Sequence, residues 1–154
     1  MDRDRDEQGR PRNARPRDAL GRPLPRGETG SAPVPEEPLP PDQTLVLAQQ
    51  LLDEGRPFHA HEVLEAAWKN APGSERDLWQ GLAQLAVGLT HALRGNRAGA
   101  GALLTRGAGR IRPYADQPRL YNIDVSGLVA WAHDTVSQLG TGDEPPGAPR
   151  LTRE

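Results

Sequence analysis

The sequence predicts an all-α fold: a compact bundle of about five helices built from antiparallel helical hairpins, with disordered N- and C-terminal tails. Three observations carry this expectation. Apolar residues recur at helical spacing in successive windows between Asp42 and Leu139. No window alternates apolar and polar residues as a half-buried strand does. The links between windows are short and rich in Gly, Pro and Asn, which favours antiparallel neighbours.

The first helix opens at "PPDQTLVLAQQLLDEG", with Asp42 as its expected N-cap, Leu45, Ala48, Leu51 and Leu52 at core spacing, and Gly55 as its stop. Pro57 suits the first turn of a second helix, because the N–H it lacks has no intrahelical partner there. That helix runs to about Asn70, ahead of Pro72. "SERD" at 74–77 resembles a capping box and launches the longest helix, about Glu75 to Arg94, closed by Gly95. Asn96 is the expected cap of a fourth helix, "RAGAGALLTRGAGRI", whose glycines lower helix propensity but permit close packing. Beyond the "PYADQP" link, Asp124 or Ser126 starts a fifth helix carrying Val125, Leu128, Val129, Ala132, Val136 and Leu139. The closing "GTGDEPPGAPRLTRE" offers little to pack.

These signals divide the chain into a tail over 1–41, a helical domain over 42–139 and a second tail over 140–154. The first tail holds nine of the sixteen prolines, eight arginines and eight acids, so it reads as a solvated polyampholyte. A net charge of −2 provides no concentrated basic field, which argues against nucleic-acid and membrane-surface binding. No stretch approaches the roughly twenty apolar residues of a membrane span, and the N-terminus lacks the apolar run of a secretory signal. A cytoplasmic location follows as the default. The absence of cysteine excludes disulfides, zinc ribbons and thiol catalysis.

"FHAHEVLEAAW", residues 58–68, carries the candidate chemistry. On a helical wheel Phe58, His61, Leu64, Glu65 and Trp68 share a face, Glu62 lies on its flank and His59 points away. The third helix has no charged residue between Asp77 and Arg94. Its apolar stripe, Leu78, Leu82, Leu85, Leu89 and Ala92, lies almost opposite Gln80, Gln84, Val87 and His91. Two polar faces on neighbouring helices suggest one buried layer of His61, Glu65, Gln80, Gln84 and His91, with Glu62 at its edge. Trp68, Trp79 and Trp131 read as core pillars.

Such a layer has an architectural reading and a chemical one. A satisfied His–Glu–Gln network orients helices. The same side chains suit a divalent metal: His61 and Glu65 lie one turn apart, His91 is a third ligand, and Glu62 is a base or a further carboxylate. A His₂Glu set suits zinc, and an added carboxylate suits iron or manganese. "HEVLE" is neither the zincin HExxH nor the Glu-x-x-His pair of di-iron bundles. A metal-free acid/base site built on the His–Glu pair is the third reading.

These residues also resemble a family. The aromatic, His-Glu, second Glu and Trp of 58–68, the "WQGLAQLAVGLTHAL" helix and the Gly95-Asn96 turn are similar to the bacterial domain-of-unknown-function family 309, an HExxExxW-type helical domain. The resemblance spans about residues 45–130. It implies a small all-helical fold and motif positions at Phe58, His61, Glu62, Glu65, Trp68, Gln80, Gly81, Gln84, His91, Gly95 and Asn96, and it implies no particular activity. The expected function is a binding module for a protein or small-molecule partner, with a polar layer of structural origin. The rival is a metal-dependent hydrolase using His61, Glu65 and His91.

Overall fold

The computed structural model describes residues 39–117, 120–141 and 145–153. The expected N-terminal tail lies, up to residue 38, outside the described residues. Five α-helices are described: α1 (Pro41–Asp53), α2 (Pro57–Asn70), α3 (Arg76–Leu93), α4 (Arg97–Ile111) and α5 (Val125–Leu139). Short 3₁₀ turns at Gly73–Glu75 and Arg112–Asp116 precede α3 and follow α4. The extensive pairings join helices adjacent in sequence, most of all α3 with α4 and α2 with α3. The architecture is therefore the helical bundle that the spacing predicts.

Glycine ends α1 and α3 by the same device. Gly55 and Gly95 adopt φ of +74° and +85°, the left-handed region that a Cβ disfavours. After α1, Arg56 N–H donates to the Leu51 carbonyl at 2.8 Å and Gly55 N–H to that of Leu52 at 3.1 Å. After α3, Asn96 N–H reaches His91 at 2.8 Å and Gly95 N–H reaches Ala92 at 3.1 Å. Both are Schellman motifs, which satisfy the last carbonyls of the helix and turn the chain back. Asn96 then caps α4 by accepting from Gly99 N–H at 3.1 Å, and Asp124 caps α5 from Gly127 N–H in the same way.

Two expected caps take other roles. Pro40 occupies the N-cap of α1, Pro41 its first position, and Asp42 lies in the first turn, where a carboxylate still faces the positive helix end. The "SERD" capping box does not form, since α3 has no side-chain cap. Of the box residues, Ser74 accepts at its carbonyl from the Tyr114 hydroxyl at 2.8 Å and Asp77 pairs with Arg110 at 2.9 Å. Glu75 between them accepts from Trp79 Nε1 at 3.2 Å and Tyr121 Oη at 2.8 Å. These two aromatic donors tie the start of α3 to the segment before α5.

The core runs along α3, where Leu78, Trp79, Leu82, Leu85 and Leu89 are all buried. Backbone approach sets the α3–α4 contact. A Cβ on Gly107 would lie 2.9 Å from the Gly81 carbonyl oxygen, and one on Gly88 would lie 2.8 Å from Leu104 Cγ. Gly101 and Gly109, on the same helix, have nothing within 4 Å. Only part of the glycine content of α4 therefore serves packing.

The C-terminal segment departs from expectation. Residues 145–153 lie against the bundle, with Leu151 only 3% exposed. Gln49 of α1 grips the segment's backbone, its Nε2 donating to the Pro149 carbonyl at 2.9 Å and its Oε1 accepting from Leu151 N–H at 2.8 Å. Asp124 N–H donates to the Leu151 carbonyl and Arg153 N–H to that of Asn122, both at 2.9 Å, around an antiparallel bridge between Ile123 and Thr152. Trp131 Nε1 donates to the Gly147 carbonyl at 3.0 Å. A single leucine in a polar, Pro-rich stretch shows no periodicity, so sequence spacing does not reveal it.

Substitution at the two kinds of glycine should separate packing from propensity. Gly107→Ala forces a methyl against a backbone oxygen and should cost about 1–3 kcal/mol. Gly109→Ala, in open space on the same helix, should stabilise by about 0.5–1 kcal/mol. Urea denaturation of both variants measures this, and equal effects would contradict the close α3–α4 approach.

Candidate functional site

The residues singled out by the sequence fall into separate places. On α2 the buried residues are Pro57, His59, Ala60, Val63 and Leu64. The helix is thus rolled relative to the expected face, because small Ala60 and Val63 seat against neighbours while the aromatic ends stay half-buried. His59, expected to point away, is buried at 5% exposure. Phe58 packs its ring against both histidines, 6.0 Å from His59 and 5.7 Å from His61. Glu62 and Trp68 are half-buried. Of the three tryptophans only Trp79 is a fully enclosed pillar, at 1% exposure, while Trp68 and Trp131 pack at the core's edge.

His61 and Glu65 do meet. His61 Nε2 lies 2.9 Å from Glu65 Oε2, and Lys69 Nζ lies 2.7 Å from Oε1. The three side chains form a stripe one helical turn apart at each step, with 21% and 31% of the His61 and Glu65 side chains exposed. The carboxylate can only accept, so Nε2 carries the proton of this contact. His61 Nδ1 is buried with no hydrogen-bond partner among the described residues. Of the two ring nitrogens, one is thus engaged by Glu65 and the other is buried. The His61 hydrogen bond, reinforced by Lys69 and opposed by burial, holds the Glu65 carboxyl at about 2, below its ordinary 4.5.

The other members of the expected layer have different partners. Gln84 Oε1 accepts from Arg110 Nε of α4 at 3.2 Å, and Arg110 also pairs with Asp77 at 2.9 Å. His91 Nδ1 sits 3.1 Å from the Asn96 amide at the end of α3. Gln80 is half-buried on the same side of α3 as Gln84. The Gln80–Gln84–His91 edge thus serves the α3–α4 hairpin, and the anticipated union with His61 and Glu65 is not formed. No group of three or more His, Asp or Glu among the described residues is arranged to hold a metal. His61 and Glu65 thus form a local pair on α2, while His91 contacts Asn96 at the end of α3. An uncharged helix face is as well satisfied by the next helix in sequence as by the previous one, and spacing alone does not choose.

A concave feature lies elsewhere, in a groove of about 610 Å³ between α1 and the C-terminal segment. One wall is α1, through Asp42, Leu45, Val46, Gln49 and Asp53, with Glu54 just past its end; the other includes Tyr121, Asn122, Arg150 and Thr152. Val46 is 70% exposed, the one large hydrophobic so exposed among the described residues. Of the groove's three carboxylates, Asp53 pairs with Arg150 and Glu54 with Arg56, each at 3.4 Å.

The far rim is fixed by unusual backbone. Tyr121 and Asn122 adopt φ of +53° and +59° in succession. Asn tolerates this conformation, whereas Tyr holds it only under constraint. Here the Tyr121 hydroxyl donates to Glu75, its ring lies 5.7 Å from Trp79, and the Asn122 amide donates to the Arg153 carbonyl. The Glu75 carboxylate that accepts this proton pushes the Tyr121 phenol above its usual range.

Comparison with known proteins agrees with the helical motif. Residues 45–103 match the family described as domain of unknown function, DUF309. The match covers α2 and α3 entire and ends within α4. Over 48 residues the chain is 48% identical to uncharacterized protein YpuF of Bacillus subtilis (strain 168), an alignment covering 30% of this chain and 28% of that protein. The chain thus spans less than a third of this relative's length. No solved structure matches. No helix among the described residues is long and apolar enough to cross a membrane.

The shift of Glu65 has a direct consequence for acid stability. A carboxylate with a lowered folded-state value stabilises the fold fully above its unfolded value, and that contribution is lost as pH falls through the folded one. The contribution of Glu65 should therefore be lost between pH 4.5 and about 2. Urea denaturation across that window should show Glu65→Gln losing less stability than wild type, by about 0.5–1 kcal/mol for so exposed a pair. Equal losses would show that the hydrogen bond to His61 is not maintained in solution.

Proposed function

We propose that this domain is a binding module whose docking surface is the groove beside α1, and that it takes an extended chain segment pairing apolar and cationic side chains. The observation that carries this reading is the position of Val46. It is a β-branched residue left 70% exposed on the wall of a groove otherwise edged by Asp42, Asp53 and Glu54. An apolar contact beside carboxylates suits a ligand with an apolar side chain and a neighbouring guanidinium or ammonium.

Three further features favour it. The rim at Tyr121 and Asn122 is held by bonds to Glu75 and Arg153, so little ordering is required on binding. The α1 wall from Leu45 to Glu54 lies within the segment matched to the DUF309 family. The His61–Glu65–Lys69 stripe serves here as a clip between turns of α2, and the groove is an open concave surface among the described residues.

A panel of immobilised dodecapeptides varied in charge and leucine content tests this with the full-length protein. Peptides that pair leucine with arginine should be retained over neutral and acidic ones. The double variant Val46→Ser/Glu54→Gln, on an exposed surface where stability should change little, should weaken retention about tenfold, equivalent to about 1.4 kcal/mol. Retention indifferent to peptide charge and to both substitutions would refute the groove as a binding surface.

A further inference from the structure

Resting on that reading, we infer that the groove's occupant is a segment of the same chain, Ala19–Arg26, "ALGRPLPR". Its chemistry matches the groove on both counts. Leu20 and Leu24 are the only leucines in residues 1–38, and Arg22 and Arg26 follow each of them by two. In an extended chain residues two apart share a side, so these four alternate apolar and cationic groups along one edge. Pro23 and Pro25 fix φ and hold the residues before them extended, which reduces the entropy lost on docking. Val46 offers the apolar contact, and Asp42, Asp53 and Glu54 outnumber the two guanidiniums, Arg150 and Arg56, that pair with Asp53 and Glu54.

Charge also distinguishes this segment from the rest of the N-terminal region. Residues 10–26 hold six arginines against one acid, Asp18. Residues 27–38 hold Glu28, Glu36 and Glu37 and no cation, so an acidic groove disfavours them. The distribution places a cationic, leucine-bearing stretch beyond a linker of unsuitable charge.

The linker has the required reach. The described chain begins at Leu39, at the Asp42 end of the groove, and α1 extends 13 residues from Pro41, about 20 Å at 1.5 Å per residue. Twelve intervening residues, 27–38, have a root-mean-square span of about 20 Å as a flexible chain. Tethering at that distance gives an effective concentration on the order of millimolar, so a segment of weak intrinsic affinity still docks. A free partner would have to compete with it.

The chain has no cysteine, so Gly21→Cys offers a single attachment point for a nitroxide in the otherwise intact protein. Position 21 lies off the Leu/Arg edge. In ¹⁵N-labelled protein the nitroxide should selectively reduce amide intensity at Val46, Gln50 and Tyr121, while Arg106 and Gly109 on the outer face of α4 keep theirs. Adding Arg22→Glu and Arg26→Glu should abolish that selectivity. If the loss appears equally when nitroxide-bearing, unenriched protein is mixed with ¹⁵N protein lacking the nitroxide, the occupant is a second copy's segment and the intrachain inference is overturned. No selective loss, with peptide retention still dependent on Val46 and Glu54, overturns the inference and leaves the groove reading standing. Loss of both overturns both.

Discussion

The structure depends on how closely α3 and α4 approach. Gly81, Gly88 and Gly107 remove the side chains that would hold the two backbones apart, so Leu104 and Ile111 of α4 press directly on the backbone of α3. That contact fixes the roll of α3 and determines which of its residues are enclosed. Leu78, Leu82, Leu85 and Leu89 fill the core, while Gln84 is brought to the hairpin's edge within reach of Arg110. The partner of the glutamine face is therefore a consequence of small residues on a helix that shows little amphipathic pattern. A wider α3–α4 spacing would have left the polar edge of α3 free to pair with α2.

The legible part of the fold was the part written in periodicity and punctuation. Helix existence followed from apolar spacing, and the stops at Gly55 and Gly95 followed from the one residue that enters the left-handed region without a Cβ penalty. The caps at Asn96 and Asp124 were equally visible. What escaped were competitions between partners. Asp77 has the sequence position of a capping-box acid, yet it pairs with Arg110 of α4, and neighbouring Glu75 takes the hydroxyl of Tyr121, 46 residues away. Gln49 looks like a surface residue of α1, and its function becomes apparent only when Pro149 and Leu151 are in place.

The candidate site shows the same division. That His61 and Glu65 touch was implied by a spacing of four on one helix, and the contact is present at 2.9 Å. Their union with His91 required knowing the roll of two helices at once, and small residues such as Ala60 decided it against the wheel. The groove had no sequence signature at all. It is assembled from α1, the strained Tyr121–Asn122 turn and a terminal segment anchored by buried Pro149 and Leu151.

The grip of Gln49 on residues 149 and 151 alters how the molecule should come apart. A row of helices, each packed mainly on its sequence neighbours, tends to fray inward from its ends. Here a residue in the first helix holds the last described segment across about a hundred positions. Among the described residues the row is closed into a loop, and its two end members are secured by one another. Opening α1 must first release the C-terminal segment, so the ends share in the cooperativity of the centre.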